Sequence, residues 1–160
     1  MERVEKILNN EEFLDLLGKI DALEKDRIFC KHGLSHLLDV ARIGWILILE
    51  EGISIKKDIF YAAALLHDLG RYDQYTKEIP HAKASAELAK KLLPDAGFLP
   101  KEVEQIARAI SLHGKECDRT HDTFSWVLYR ADKLSRNCFV CKAQKECNWK
   151  DEKRNRTIKY

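Results

Sequence analysis

Ile59-Phe60-Tyr61-Ala62-Ala63-Ala64-Leu65-Leu66-His67-Asp68-Leu69-Gly70 is an apolar run that ends in two side chains with strong affinity for metal ions. An imidazole and a carboxylate closing a buried helix each need a partner, because an uncompensated polar group in an apolar setting is costly. Either one alone reads as a hydrogen-bonded core residue. The adjacent pair, stopped by Gly70, points to a cation that serves both.

Outward from this stretch the apolar periodicity is helical nearly throughout, and the alternating β-branched runs and Asn-Gly turns of a sheet are missing. The pattern predicts an all-α, compact bundle of about six or seven helices. Asn10 caps a helix that starts at Glu11 and carries Phe13, Leu16, Leu17 and Ile20; a second runs from about 32 to 51 and stops at Gly52. A third, from Ser54, bears the dyad and ends near Gly70, followed by a polar connection. Helices at about 81–93, 101–113 (after Pro100) and 122–136 complete the set. The pattern assigns residues 1–137 to one domain and 138–160 to a Cys-rich, then charged, tail.

The 160 residues suffice for one hydrophobic core, and 45% hydrophobic with 34% charged residues is the balance of a globular protein. With 28 Lys and Arg against 26 Asp and Glu, the net charge of +2 gives no whole-molecule case for nucleic acid or an anionic membrane. The charged start Met1-Glu2-Arg3-Val4-Glu5-Lys6 is unlike a signal peptide, and no apolar run is long enough to span a bilayer. A cytoplasmic protein is expected. Five cysteines, an odd number, then favour thiols or metal ligands over disulfides.

Projected at the helical repeat, polar groups fall on apolar faces four times: His36 with Val40, Ile43 and Leu47; His67 with Phe60, Ala63 and Ala64; His113 with Ile106, Ala109 and Ile110; Asp132 with Phe124 and Leu128. One shared cation would satisfy them all, whereas separately each His would be a hydrogen-bonded core residue and Asp132 would pair with a nearby Lys or Arg. His81, with Ala84 and Leu88 on its face, reads as a further ligand or a residue near a helix start. His32 precedes His36 by one turn but shares its face with Asp39, which makes it a neighbour of the ligands or an exposed residue. His121 reads as solvent-facing.

His36 followed by Val40-Ala41, then His67-Asp68-Leu69-Gly70, then Ala131-Asp132-Lys133, resembles the HD superfamily of metal-dependent phosphohydrolases over about residues 30 to 137. The resemblance implies that His36, His67, Asp68 and Asp132 ligate a divalent transition metal, and that Asp68 bridges to a second ion held by His81 and His113. Relatives with two metals often have adjacent histidines where this chain reads Leu112-His113-Gly114, a departure that bears on the second ion. Nitrogen and oxygen donors favour Fe or Mn, with Zn, Ni or Co as alternatives.

A bound cation would activate water toward a phosphoryl group, with Asp68 at its centre and Arg71, Lys133 and Arg136 placed to stabilise the developing charge. The expected substrate is a small phosphorylated molecule, a nucleotide above all; the alternatives are a di-iron oxygenase of the same superfamily and a non-catalytic nucleotide-sensing module. Specificity is expected from loops 72–80 and 115–123. Cys138, Cys141 and Cys147, joined by Cys30 or Cys117, have the spacing of an additional zinc or iron-sulfur site, with free thiols as the plain alternative.

Overall fold

In a computed structural model, which describes residues 1–114, 120 and 122–160, the described chain is all-helical. The helices are α1 (Glu2–Leu8), α2 (Glu11–Leu23), α3 (Leu34–Glu50), α4 (Lys57–Leu66), α5 (Arg71–Lys77), α6 (His81–Leu92), α7 (Pro100–Leu112) and α8 (Thr123–Leu134). Two short 3-10 turns, Cys138–Val140 and Asp151–Lys153, lie in the tail. Cys117 and His121 fall outside the described residues.

Helix α4 is the hub, touching α1, α3, α6, α7 and α8. Its run from Ala62 to Leu66 is completely buried, as expected of a helix apolar on every side. Small residues let its neighbours come close. A methyl group on Gly44 of α3 would meet the Phe60 ring at 2.1 Å, so α3 and α4 pack with the glycine backbone against the ring. Burying Phe60, Leu65 and Leu66 contributes about 1.5–3 kcal/mol each by transfer from water.

Local signals set the helix ends. The Asn10 side chain accepts from Phe13 N (3.1 Å), Asp122 accepts from Ser125 N (3.0 Å), and Pro100 opens α7. The short helix α1 is a departure from the expected set. It is held by tertiary bonds: Arg3 binds Asp58 of α4 (Nη2–Oδ2 2.6 Å) and Glu102 of α7 (Nη1–Oε2 2.5 Å), while Val4 and Ile7 enter the core.

Two further corrections concern the site. The expected polar connection and specificity loop at 72–80 is mostly helix α5, which packs against α2 and α6 although its sequence is polar and only Tyr72 leans, half-buried, on the core. The dyad itself lies beyond the last turn of α4, in the turn His67–Gly70 that joins α4 to α5.

Candidate metal centre

The turn His67–Gly70 is pressed onto the start of α6. A methyl group on Gly70 would meet His81 O at 2.3 Å and Ser85 N at 2.5 Å, and Gly70 N donates to Ser85 Oγ (2.8 Å). Only a glycine permits this approach. It brings the dyad, the N-terminus of α6 and the C-terminus of α7 together, while α3 and α8 supply His36 and Asp132 from the other side.

Among the described residues, two groups of ligand atoms lie within 4.8 Å of one another: His36, His67, Asp68 and Asp132, and Asp68, His81 and His113. Asp68 belongs to both and divides its oxygens between them. Its Oδ2 is 3.2 Å from His67 Nε2 and 3.4 Å from His36 Nε2, whereas its Oδ1 is 3.6 Å from His81 Nε2 and 3.9 Å from His113 Nε2. Asp132 Oδ1 completes the first group, 3.3 Å from His36 Nε2.

The imidazoles are oriented as ligands would be. His67 Nδ1 donates to Ala64 O (2.7 Å) and His113 Nδ1 to Ile110 O (2.5 Å), which leaves the lone pair on Nε2 facing the carboxylates. His67 Nε2 is buried without a hydrogen-bond partner. His36 Nδ1 donates to Ser135 Oγ (3.1 Å), and its Nε2 accepts from Arg136 Nη2 (3.0 Å). Burial is the largest influence on both Asp68 and Asp132 and would favour the neutral acids. It is outweighed at Asp68 by the imidazoles of His67, His113 and His36, and at Asp132 by His36, Arg136 and Lys133, which hold both carboxyls well below the usual range. Two carboxylates and the facing imidazole Nε2 atoms make a donor set that fits a divalent cation. For His81, burial and then the charge of Arg71 depress the pKa to about 3, so its ring stays neutral.

The three expected cations are all tied to these carboxylates. Arg71 Nε donates to Asp68 Oδ1 (2.9 Å), Lys133 Nζ to Asp132 Oδ2 (2.7 Å) and Arg136 Nη2 to Asp132 Oδ1 (3.1 Å). The local pairing of Asp132 that the sequence left open therefore exists beside the imidazole cluster.

Of the two readings open for His32, the structure selects the neighbour of the ligands. Helix α3 begins only at Leu34, so His32 sits in the preceding turn and is buried, not exposed. Its Nδ1 donates to Glu24 Oε1 (2.5 Å) and its Nε2 faces Asp68 Oδ2 at 3.9 Å. Glu24 also accepts from His32 N (2.7 Å) and from the Tyr75 hydroxyl of α5 (2.5 Å). Burial opposes the Glu24 charge, but these donors lower its pKa to about 2, while burial lowers that of His32 and keeps the ring neutral. No sequence pattern joined these three residues; the one available signal was the spacing of His32 and His36.

A cavity of about 720 Å³ opens beside this centre, reaching His32, His36 and Asp132. Its wall carries Arg27, Lys31, Arg71, Lys133, Arg136 and Arg154, against the acids Asp39 and Asp132, together with the aromatic rings of Phe29 and Trp149.

The HD domain family model matches residues 33–143, a span that holds His36, His67, Asp68 and Asp132. The chain belongs to the HD-domain family. A Clostridium beijerinckii protein of uncharacterised function is 44% identical over the full length of both chains. Ribonuclease Y 1 of Bdellovibrio bacteriovorus is 32% identical over 66% of this chain, which spans 18% of that longer protein. YueE of Bacillus subtilis, provisionally named a phosphohydrolase, is 32% identical over 65% of this chain and 66% of its own. A crystal structure assigned to the HD superfamily hydrolases, from an uncultured Thermotogales bacterium, superposes with a TM-score of 0.65 over 89% of this chain and 79% of the other. At 23% identity it shows that the HD fold is shared. No described helix of this HD domain is long and apolar enough to cross a membrane.

Proposed function

We propose that this HD domain is a metal-dependent phosphohydrolase acting on a phosphate ester, a nucleotide by preference. The observation that carries the reading is Asp68, whose two oxygens each face a separate set of imidazoles, as a carboxylate bridging two ions would. In such a site the bound ions, Fe or Mn before Zn, Ni or Co, would activate water and neutralise phosphoryl charge.

The chain's own groups would do the rest. Arg136 and Lys133, at the cavity wall, and Arg71, beside Asp68, are placed to bind phosphoryl oxygens. His32 presents a neutral Nε2 where a proton must be taken up or delivered, its ring fixed by Glu24. The cationic wall with Phe29 and Trp149 suits a phosphate joined to a flat ring, and its volume is that of a small-molecule site. Relatives named as ribonucleases and as a phosphohydrolase support ester hydrolysis at phosphorus. The ribonuclease names favour a second reading, short RNA as substrate.

Metal analysis of protein purified without added metal, followed by phosphate release from a nucleotide panel and cleavage of an RNA oligonucleotide, tests both readings. Near-stoichiometric transition metal and mononucleotide turnover are expected. Turnover of the oligonucleotide alone would select RNA. A mixed-valent di-iron signal with oxygen consumption and no phosphate release would make the protein an oxygenase, and full metal content without turnover a sensing module.

A further inference from the structure

Four thiols from two distant parts of the chain line the cavity: Cys30 from the turn before α3, and Cys138, Cys141 and Cys147 from the tail. The mechanism above uses none of them. Cys138 and Cys141 belong to one tight turn in which Cys141 N donates to Cys138 O (3.2 Å), the Cys-x2-Cys geometry from which two thiolates reach one ion. The turn carrying Cys30 is pinned from both sides, Arg27 Nε donating to Cys30 O and Arg136 Nη1 to Lys31 O (both 3.0 Å). Cys30, Cys138, Cys141 and Arg136 line the same cavity, where burial pushes the Cys30 thiol up and the Arg136 guanidinium draws it down.

The tail needs such an anchor. Of residues 138–160 only Cys138 and Ala143 bury an apolar side chain, and the regular structure is two turns of 3-10 helix. Asn155 ties the tail to the end of α8, its Nδ2 donating to Lys133 O and Arg136 O (both 2.8 Å), while the bond from Arg154 Nη2 to Cys147 O (2.6 Å) links the tail only to itself. Each is worth only about 0.5–1.5 kcal/mol. Segments this poor in apolar burial are commonly held by disulfides or a structural metal. We infer that Cys30, Cys138, Cys141 and Cys147 form a structural zinc site, independent of the His/Asp centre, that fastens the tail over the cavity. No three of these thiols lie within 4.8 Å of one another, so binding draws the tail turns inward, a movement of irregular backbone that leaves the helices in place. Each thiol releases its proton to solvent as it binds, and Arg27, Lys31, Arg136 and Arg154 offset the resulting negative charge.

The test is zinc analysis, and Co²⁺ loading of metal-stripped full-length protein followed by thiolate-to-cobalt charge-transfer absorption. In the Asp68→Asn protein, where the His/Asp centre is crippled, one equivalent of zinc and the charge-transfer band are expected to remain. In Cys30→Ser and Cys141→Ser both are lost, with helical circular dichroism unchanged and the tail cut faster by protease. If the serine variants fail to fold, the unmutated protein decides: its thiols react slowly with a thiol reagent and become reactive after a zinc chelator. A Co²⁺ spectrum lacking the band, zinc absent from Asp68→Asn, disulfides by mass, or iron-sulfur absorption in place of zinc would each overturn the assignment. Loss of phosphate release in Asp68→Asn alone bears on the catalytic reading and not on this one.

Discussion

The His/Asp centre and the tail share a cavity wall but are held by opposite means. At the centre, five helices converge on a buried turn, and His67 and His113 are each aimed by a bond from Nδ1 to a carbonyl three residues back, Ala64 O and Ile110 O. The tail is tied to the end of α8 by Asn155, whose amide donates to the carbonyls of Lys133 and Arg136, with almost no apolar burial. The difference shows that precision at the centre comes from packing, whereas the far wall of the cavity, Trp149 included, depends on a few polar or ionic ties.

The sharpest way to break this contrast is at Asp68. Asp68→Ala should cost both ions and lower phosphate release roughly a hundred-fold or more, whereas His81→Ala should cost one ion; metal analysis of the two proteins checks it. Equal metal loss from both would mean that the groups do not meet at Asp68. Next in size is Gly70→Ala. Its methyl cannot fit against His81 O, so a loss of about 1–3 kcal/mol in denaturant unfolding is expected.

Glu24→Gln should lower turnover roughly 10- to 100-fold while leaving metal content intact, because it loosens His32 and removes no ligand. It also carries a pH signature. The folded pKa of about 2 lies below the ordinary 4.5, so the stability from Glu24 is complete above 4.5 and lost as pH falls through about 2. The Tm gap between parent and Glu24→Gln should therefore narrow across that window; a gap independent of pH would remove the carboxylate from the account. The smallest effect belongs to the tail. Asn155→Ala should change global stability by about 1 kcal/mol or less yet speed proteolysis after Arg136, and a change in Tm as large as that of Gly70→Ala would erase the contrast.

The sequence reads well wherever burial follows a repeat. His36 and Asp132 stand on apolar faces of α3 and α8, and His67 and His113 follow α4 and α7 directly with right-handed helical backbone, so the 3.6-residue repeat carries through to them and pointed all four inward. His32 lies one residue before the cap of α3, where no repeat applies, and its burial follows from Glu24 and Tyr75, contributed by α2 and α5. Helix α5 was hidden because its sequence, Arg71-Tyr72-Asp73-Gln74-Tyr75-Thr76-Lys77, has too few apolar residues for a stripe. Helix α1 likewise depends on Arg3 reaching Asp58 and Glu102, contacts 55 and 99 residues away in sequence.

The contact between Gly70 and the start of α6 carries a further consequence for choice among ions. Because a methyl group on Gly70 would strike His81 O and Ser85 N, the turn bearing Asp68 is seated hard against the start of α6, and the 3.6 Å between Asp68 Oδ1 and His81 Nε2 rests on a firm main-chain base. A gap set on such a base would favour bound ions of one radius over others. Substitutions around the rim would then change how tightly ions load, while the size that fits would be altered only by rebuilding the turn itself.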